Sequence, residues 1–180
     1  MTILTFLWHG ERILPETRID LYEQFLEALL DEAGSPEKRN SVCDEWRNQF
    51  GDKGADLCRK IIGNVKPLLI EIARFQQEYG VEATATLGEA YRIARIKGWL
   101  DLGWHLGNRD IRWIREFGLK QVLVGTGLIV EFGDGLMFSH NTVREYLVAL
   151  HVTERETLDG NIGTKILGKW MDPRWTQIAI

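Results

Sequence analysis

The stretch LIVEFGDGLMFSHNTVREYLVALHV, residues 128–152, changes its periodicity halfway along. Its first half sets two short β-prone runs, LIVEF and LMFS, about the triplet GDG, in which the Asp-Gly pair tolerates positive φ. That pattern predicts a two-stranded hairpin with Leu128, Val130 and Phe132 on one face. The second half predicts an amphipathic helix from about Asn141, with Val143, Tyr146, Leu147 and Leu150 at i, i+3, i+4 and i+7 and Ser139 or Asn141 as its cap. One histidine, His140, stands at the seam, with Glu145 and Tyr146 just downstream.

Upstream of the seam the pattern is helical. In LPETRIDLYEQFLEALLDEAG, Pro15 suits a first turn, Tyr22, Phe25, Leu26, Leu29 and Leu30 form a stripe, and Gly34 is a stop. SPEKRNSVCDEWRNQFGDKGADLCRK is charged and punctuated by glycine. It reads as an adaptable surface excursion holding one short helix lined by Val42, Trp46 and Phe50. VKPLLIEIARFQQEYG places Leu68, Leu69, Ile72, Phe75 and Tyr79 at helical steps before Gly80, and TLGEAYRIARIKG offers Thr86 and Glu89 as a capping box ahead of Ala90, Tyr91 and Ala94. After a glycine-rich loop from Gly98 to Gly107, a last amphipathic helix runs through Ile111, Ile114, Leu119 and Val122, weakened or kinked by Gly118. The fold class is therefore mainly α. A helical segment, residues 1–63 with a variable insert at 35–63, precedes residues 64–152, whose order of three helices, a hairpin wing and a further helix is that of a winged-helix domain. Residues 153–180 begin a following helical region.

A chain of 180 residues with 44% hydrophobic positions can bury a core, so it is globular. Its formal net charge of -4 argues against a protein built chiefly to neutralise phosphodiester backbones. Cys43 and Cys58 lie in helical patterns with no second ligand at metal spacing, and read as reduced thiols of a cytoplasmic protein. The opening MTILTFLW has no basic leader and is cut off by HGER far short of a membrane span. No GxxxxGK[ST] loop, GxGxxG turn, HExxH helix or nucleophile beside a base occurs, so no catalytic or metal site is assigned and the chain is not read as an autonomous enzyme. His9, His105 and His151 stand apart in sequence and read as surface or satisfied core histidines.

Three stretches carry a resemblance to the helical and winged-helix portion of NACHT-type NTPases, a branch of the STAND signal-transduction ATPases that includes innate-immune receptors. MTILTFLWHGERILPETRIDLYEQFLEALL is similar to the segment after the nucleotide-binding core, LVGTGLIVE resembles the step into the wing, and FSHNTVREYLVA matches the pattern FxHxtfqEYlaA. Val143 and Arg144 depart from that pattern before Glu145, and residues 35–63 match no motif. The likeness covers about residues 1–150 and implies that the chain is an excerpt, with the P-loop, the magnesium-binding strand and the sensor arginine lying upstream. It implies that the full-length protein binds ADP or ATP with magnesium, with none expected on the fragment itself. It further implies that His140 reaches the β-phosphate of ADP and clamps the winged helix against the ATPase core of the same polypeptide, holding an autoinhibited state. Self-oligomerisation on activation and a role in signal transduction such as antiviral defence belong to the same implication.

Two other functions fit the residues. Arg109, Arg112, Arg115 and Lys120 could face DNA phosphates from the helix around NRDIRWIREFGLK, although Asp110, Glu116 and the acid of the wing dilute that charge. Trp99, Trp104 and Trp113 could mark an interaction scaffold, against the commoner use of large aromatics as core.

Overall fold

The computed structural model describes residues 17–33, 36–80, 83–101, 107–133 and 135–159. Helix α1, Arg18–Ala33, starts where Thr17 can meet its first turn. The Thr17 hydroxyl accepts the Asp20 N–H at 3.1 Å, capping the first turn, and donates to Asp20 Oδ2 at 2.7 Å. Pro15 and Gly34, expected as its start and stop, lie outside the described residues. Phe25, Leu26 and Ala28 are buried, and Tyr22, Leu29 and Leu30 pack beside them, as the stripe requires.

Helix α2, Pro36–Gly63, corrects the expectation of a surface excursion. Gly51, at φ 69 and ψ -161, breaks it into two arms, a conformation that glycine reaches without a Cβ penalty. Trp46, Ala55, Cys58 and Ile61 are wholly buried. The first arm brings Trp46 to the core with Val42 and Phe50 packed beside it, and the second arm brings Leu57, Cys58 and Ile61. The hydrophobic cluster runs unbroken across residue 64, from Phe25 to Val148.

Helix α3, Val65–Tyr79, buries Leu68, Leu69, Ile72 and Ala73. Tyr79, expected on that stripe, is 72% exposed and Gln76 takes the inward place at 1%. Seven residues make two turns, so the face that holds Leu69 returns at Gln76. Helix α4, Ala83–Ile96, starts before Thr86. Thr86 is therefore a buried residue inside the helix rather than the cap that the pattern suggested, and Glu89 binds Arg92 instead. Gly98, at φ 70, ends the segment, with the Trp99 and Leu100 N–H groups both donating to Ala94 O.

The next helix is split into α5, Asn108–Trp113, a π turn over Ile114–Gly118, and α6, Leu119–Gly125. The expected irregularity at Gly118 has a packing cause. A Cβ there would lie 2.5 Å from Trp46 Cζ2, so the indole of α2 occupies the space that a side chain would need. Strands β1, Ile129–Phe132, and β2, Gly135–Phe138, pair antiparallel with Ile129 opposite Phe138 and Phe132 opposite Gly135. Gly133, at φ 55, leaves β1, and Gly135, expected within the GDG turn, instead pairs with Phe132 as the first residue of β2. Ile129, Leu136 and Phe138 are buried on one side. Of the expected face, Leu128 enters the core before β1 begins, whereas Val130 is 39% and Phe132 66% exposed.

Helix α7, Asn141–Asp159, runs on past residue 152 and lies along α3, while β2 packs on α4. The described architecture is mainly helical with a small two-stranded antiparallel sheet.

Candidate functional site

Local chemistry fixes the backbone on both sides of His140. At the end of α6 the buried Thr126 hydroxyl donates to Leu123 O at 2.6 Å and accepts the Leu128 N–H at 3.2 Å. Gly127, at φ 71, turns the chain into β1, and its N–H donates to Val124 O at 3.0 Å. The far end of the hairpin is tied to the same turn: the Ser139 N–H donates to Leu128 O at 2.9 Å and its hydroxyl to Gly127 O at 3.3 Å. His140 follows at once, and its carbonyl oxygen accepts the Val143 and Arg144 N–H groups at 3.2 and 3.3 Å, which starts α7. The main chain of His140 is therefore held between a closed hairpin and a helix, while the residue is exposed. Its imidazole can offer an N–H donor beside the positive end of the α7 dipole, an arrangement suited to an anion.

Ser139 closes the hairpin instead of capping the helix. Tyr146, buried on the expected face of α7, stacks on Tyr22 of α1 with ring centroids 5.5 Å apart and an interplanar angle of 28°. Burial pushes its phenol up to about 12, helped by the carboxylates of Glu23, Glu27 and Asp20 on α1. Through this stack α7 joins α1 to the rest of the core. Glu145 is half-buried.

A buried polar contact holds the hairpin from behind. Gln76 Nε2 donates to Thr86 Oγ1 at 2.9 Å and to Leu136 O at 3.2 Å, linking α3, α4 and β2 in one interaction. Glutamine inside an apolar pattern gives no sequence signal, and its role appears when the three elements meet. On the same helix Arg74 donates to Glu71 at 3.1 Å and to Glu78 at 2.6 Å, and Lys97 lies 3.6 Å from Glu71. Burial alone would raise the Glu71 carboxyl, but the hydrogen bond from Arg74 and the charges of His151, Arg74 and Lys97 outweigh it and hold it below the ordinary range. His151 is buried, in keeping with a core histidine, and His9 and His105 lie outside the described residues.

The remaining candidates separate. Arg109, Arg112 and Arg115 are exposed along α5 and the π turn, but Arg112 and Arg115 lie 3.7 and 3.1 Å from Glu116. Lys120 is turned to Glu131 of β1 at 2.5 Å, away from an arginine stripe. Trp113 is half-buried, edge-on to Trp46 and Phe50 at 5.5 and 5.3 Å, Trp99 packs against the core, and Trp104 lies outside the described residues. Cys43 and Cys58 are free and buried, and burial followed by the Cys43 thiol pushes the Cys58 thiol far up. Among the described residues no group of three or more His, Cys, Asp or Glu could hold a metal ion, and no helix is long and apolar enough to cross a membrane.

Compared with known protein families, curated proteins and solved structures, the chain finds no match.

Proposed function

We propose that the chain is the regulatory helical and winged-helix portion of a NACHT-type STAND signal-transduction NTPase, in which His140 latches the domain to ADP held by an upstream ATPase core. The observation that carries this reading is the pairing of an exposed imidazole with a main chain tied on both sides, by Ser139 to the turn at Gly127 and by Val143 and Arg144 to α7. Three helical segments, a hairpin and a helix in that order support the winged-helix assignment. Among the described residues no carboxylate pairs with His140, so its donor is available to an anionic oxygen, as a diphosphate requires.

When bound, the diphosphate supplies the negative oxygens. The chain's part is to orient one N–H donor toward them and to carry the strain of separation through a hairpin fastened by Gln76 and Thr126. A charge-assisted contact of this kind contributes about 1.5 to 3 kcal/mol, which changes a closed-to-open ratio by roughly tenfold or more. Such a device is a switch that retains ADP, with hydrolysis left to the core. In the full-length polypeptide, His140→Ala is expected to speed ADP dissociation about tenfold and raise basal signalling; ADP dissociation at the parent rate refutes the latch.

DNA binding is the less supported reading, because Glu116 and Glu131 engage three of its four cations. A gel shift at low salt that weakens steeply with added salt would favour it.

A further inference from the structure

A cleft of about 440 Å³ opens on the side of the molecule formed by the end of α1, both ends of α2, the start of α3 and the end of α6. Its walls are largely aliphatic, supplied by Leu30, Val42, Ile62 and Val122, with Ser41, Gln121 and Thr126 as polar lining, and its volume falls in the range of small-molecule sites. Lys66 lines it as well, half-buried and in the first turn of α3. That is a poor place for a cation. The positive end of the helix dipole disfavours it, and among the described residues no carboxylate pairs with it. α3 has no acidic residue in its first turn to compensate, and Asn64 at the cap position sends its amide to Lys60 O at 2.7 Å instead of capping. Lys66 thus lines a largely apolar cleft without a counter-charge among the described residues. Charge at the rim is mixed, Lys38 against Asp31, so Lys66 decides the sign.

We propose that this cleft binds an amphiphilic monoanion, a medium-chain carboxylate whose head meets Lys66 and whose chain lies among Leu30, Val42, Ile62 and Val122. The ligand class follows from the lining: a fixed cation at one wall asks for an anionic oxygen, and aliphatic walls without a buried charge ask for methylenes. The cleft borders the His140 junction through Thr126, but the proposed contacts to Lys66 and the four aliphatic side chains do not involve His140.

The 180-residue chain is to be titrated calorimetrically with hexanoate, octanoate and octan-1-ol. Each methylene brought out of water tightens binding about fourfold, so octanoate is expected to bind about fifteenfold tighter than hexanoate. Octan-1-ol, which lacks the anion, and Lys66→Gln, which lacks the cation, are each expected to lose about tenfold, whereas Lys66→Arg retains binding. Ser41→Trp, at the exposed rim of the cleft, is expected to abolish binding by filling it while leaving the circular dichroism spectrum unchanged. Absence of saturable octanoate binding overturns the proposal, as do equal affinities for octanoate and octan-1-ol or full affinity in a folded Lys66→Gln variant.

Discussion

Replacing Gly118 with alanine adds one methyl group where there is no room for it. The new Cβ would lie 2.5 and 2.8 Å from Cζ2 and Cε2 of Trp46 and 2.9 Å from Cζ3 of Trp113. Trp46 has nowhere to go: it is fully buried, with Trp113 edge-on at 5.5 Å and Phe50 tilted at 6.4 Å. Forcing a methyl into such a core costs about 1–3 kcal/mol. Against this, Gly118 sits at φ -60 and ψ -53, so alanine itself recovers about 0.5–1 kcal/mol of backbone propensity. The expected net loss is about 1–2 kcal/mol, or about 2–8 °C in Tm for a chain of this size. Gly88→Ala is the internal control, since it lies inside α4 with no heavy atom within 4 Å of a new Cβ, and is expected to gain about 0.5–1 kcal/mol. Urea unfolding followed by far-ultraviolet circular dichroism measures both at constant m. Trp46→Phe should relieve Gly118→Ala, so the double variant falls short of additivity by about 1 kcal/mol or more. A Gly118→Ala protein as stable as the parent, or strict additivity with Trp46→Phe, refutes the account of the π turn as a seat for the indole.

The phenol of Tyr146 ionises at about 12 when folded against an ordinary 10, so its contribution is intact below pH ~10 and is lost as the pH rises toward 12. Tyr146→Phe keeps the stack on Tyr22 and should flatten the fall in stability over that window, as alkaline urea titrations would show. Glu71→Gln leaves Arg74 and Lys97 short of a partly buried counter-charge and is expected to cost about 1–3 kcal/mol at pH 7, a deficit that narrows as the pH falls through the carboxylate range, because protonation costs the parent the same interaction. Gln76→Leu strands Leu136 O and Thr86 Oγ1, and should cost about 1–3 kcal/mol while speeding amide exchange in β2 more than in α1.

The hairpin was legible because glycine about Asp134 and β-prone runs leave few local alternatives, yet Gly135 belongs to the second strand rather than to the turn. Gly133 and Gly135 can each supply the positive φ, and the choice fell to the pairing that buries Ile129, Leu136 and Phe138 together. His140 could be located from its place in the sequence, but its exposure depended on how the Ser139 and Gly127 contacts set the junction. Tyr146 could be read as apolar helix face, and nothing in its own segment pointed to Tyr22. Lys66 carried no signal, because a lysine near a helix start is ordinary until the walls around it are assembled from four other helix ends.

Periodicity along the chain determined the helices, the hairpin and the junction between them, since a side chain's spacing records which face of its own element must leave water. Tertiary structure alone decided that the broken helix around Gly51 belongs to the core, that Gly118 yields its space to Trp46, and that Gln76 rather than Tyr79 points inward. Those outcomes depend on what stands opposite each face, and a linear pattern carries no information about a neighbour that is close in space and far away in sequence.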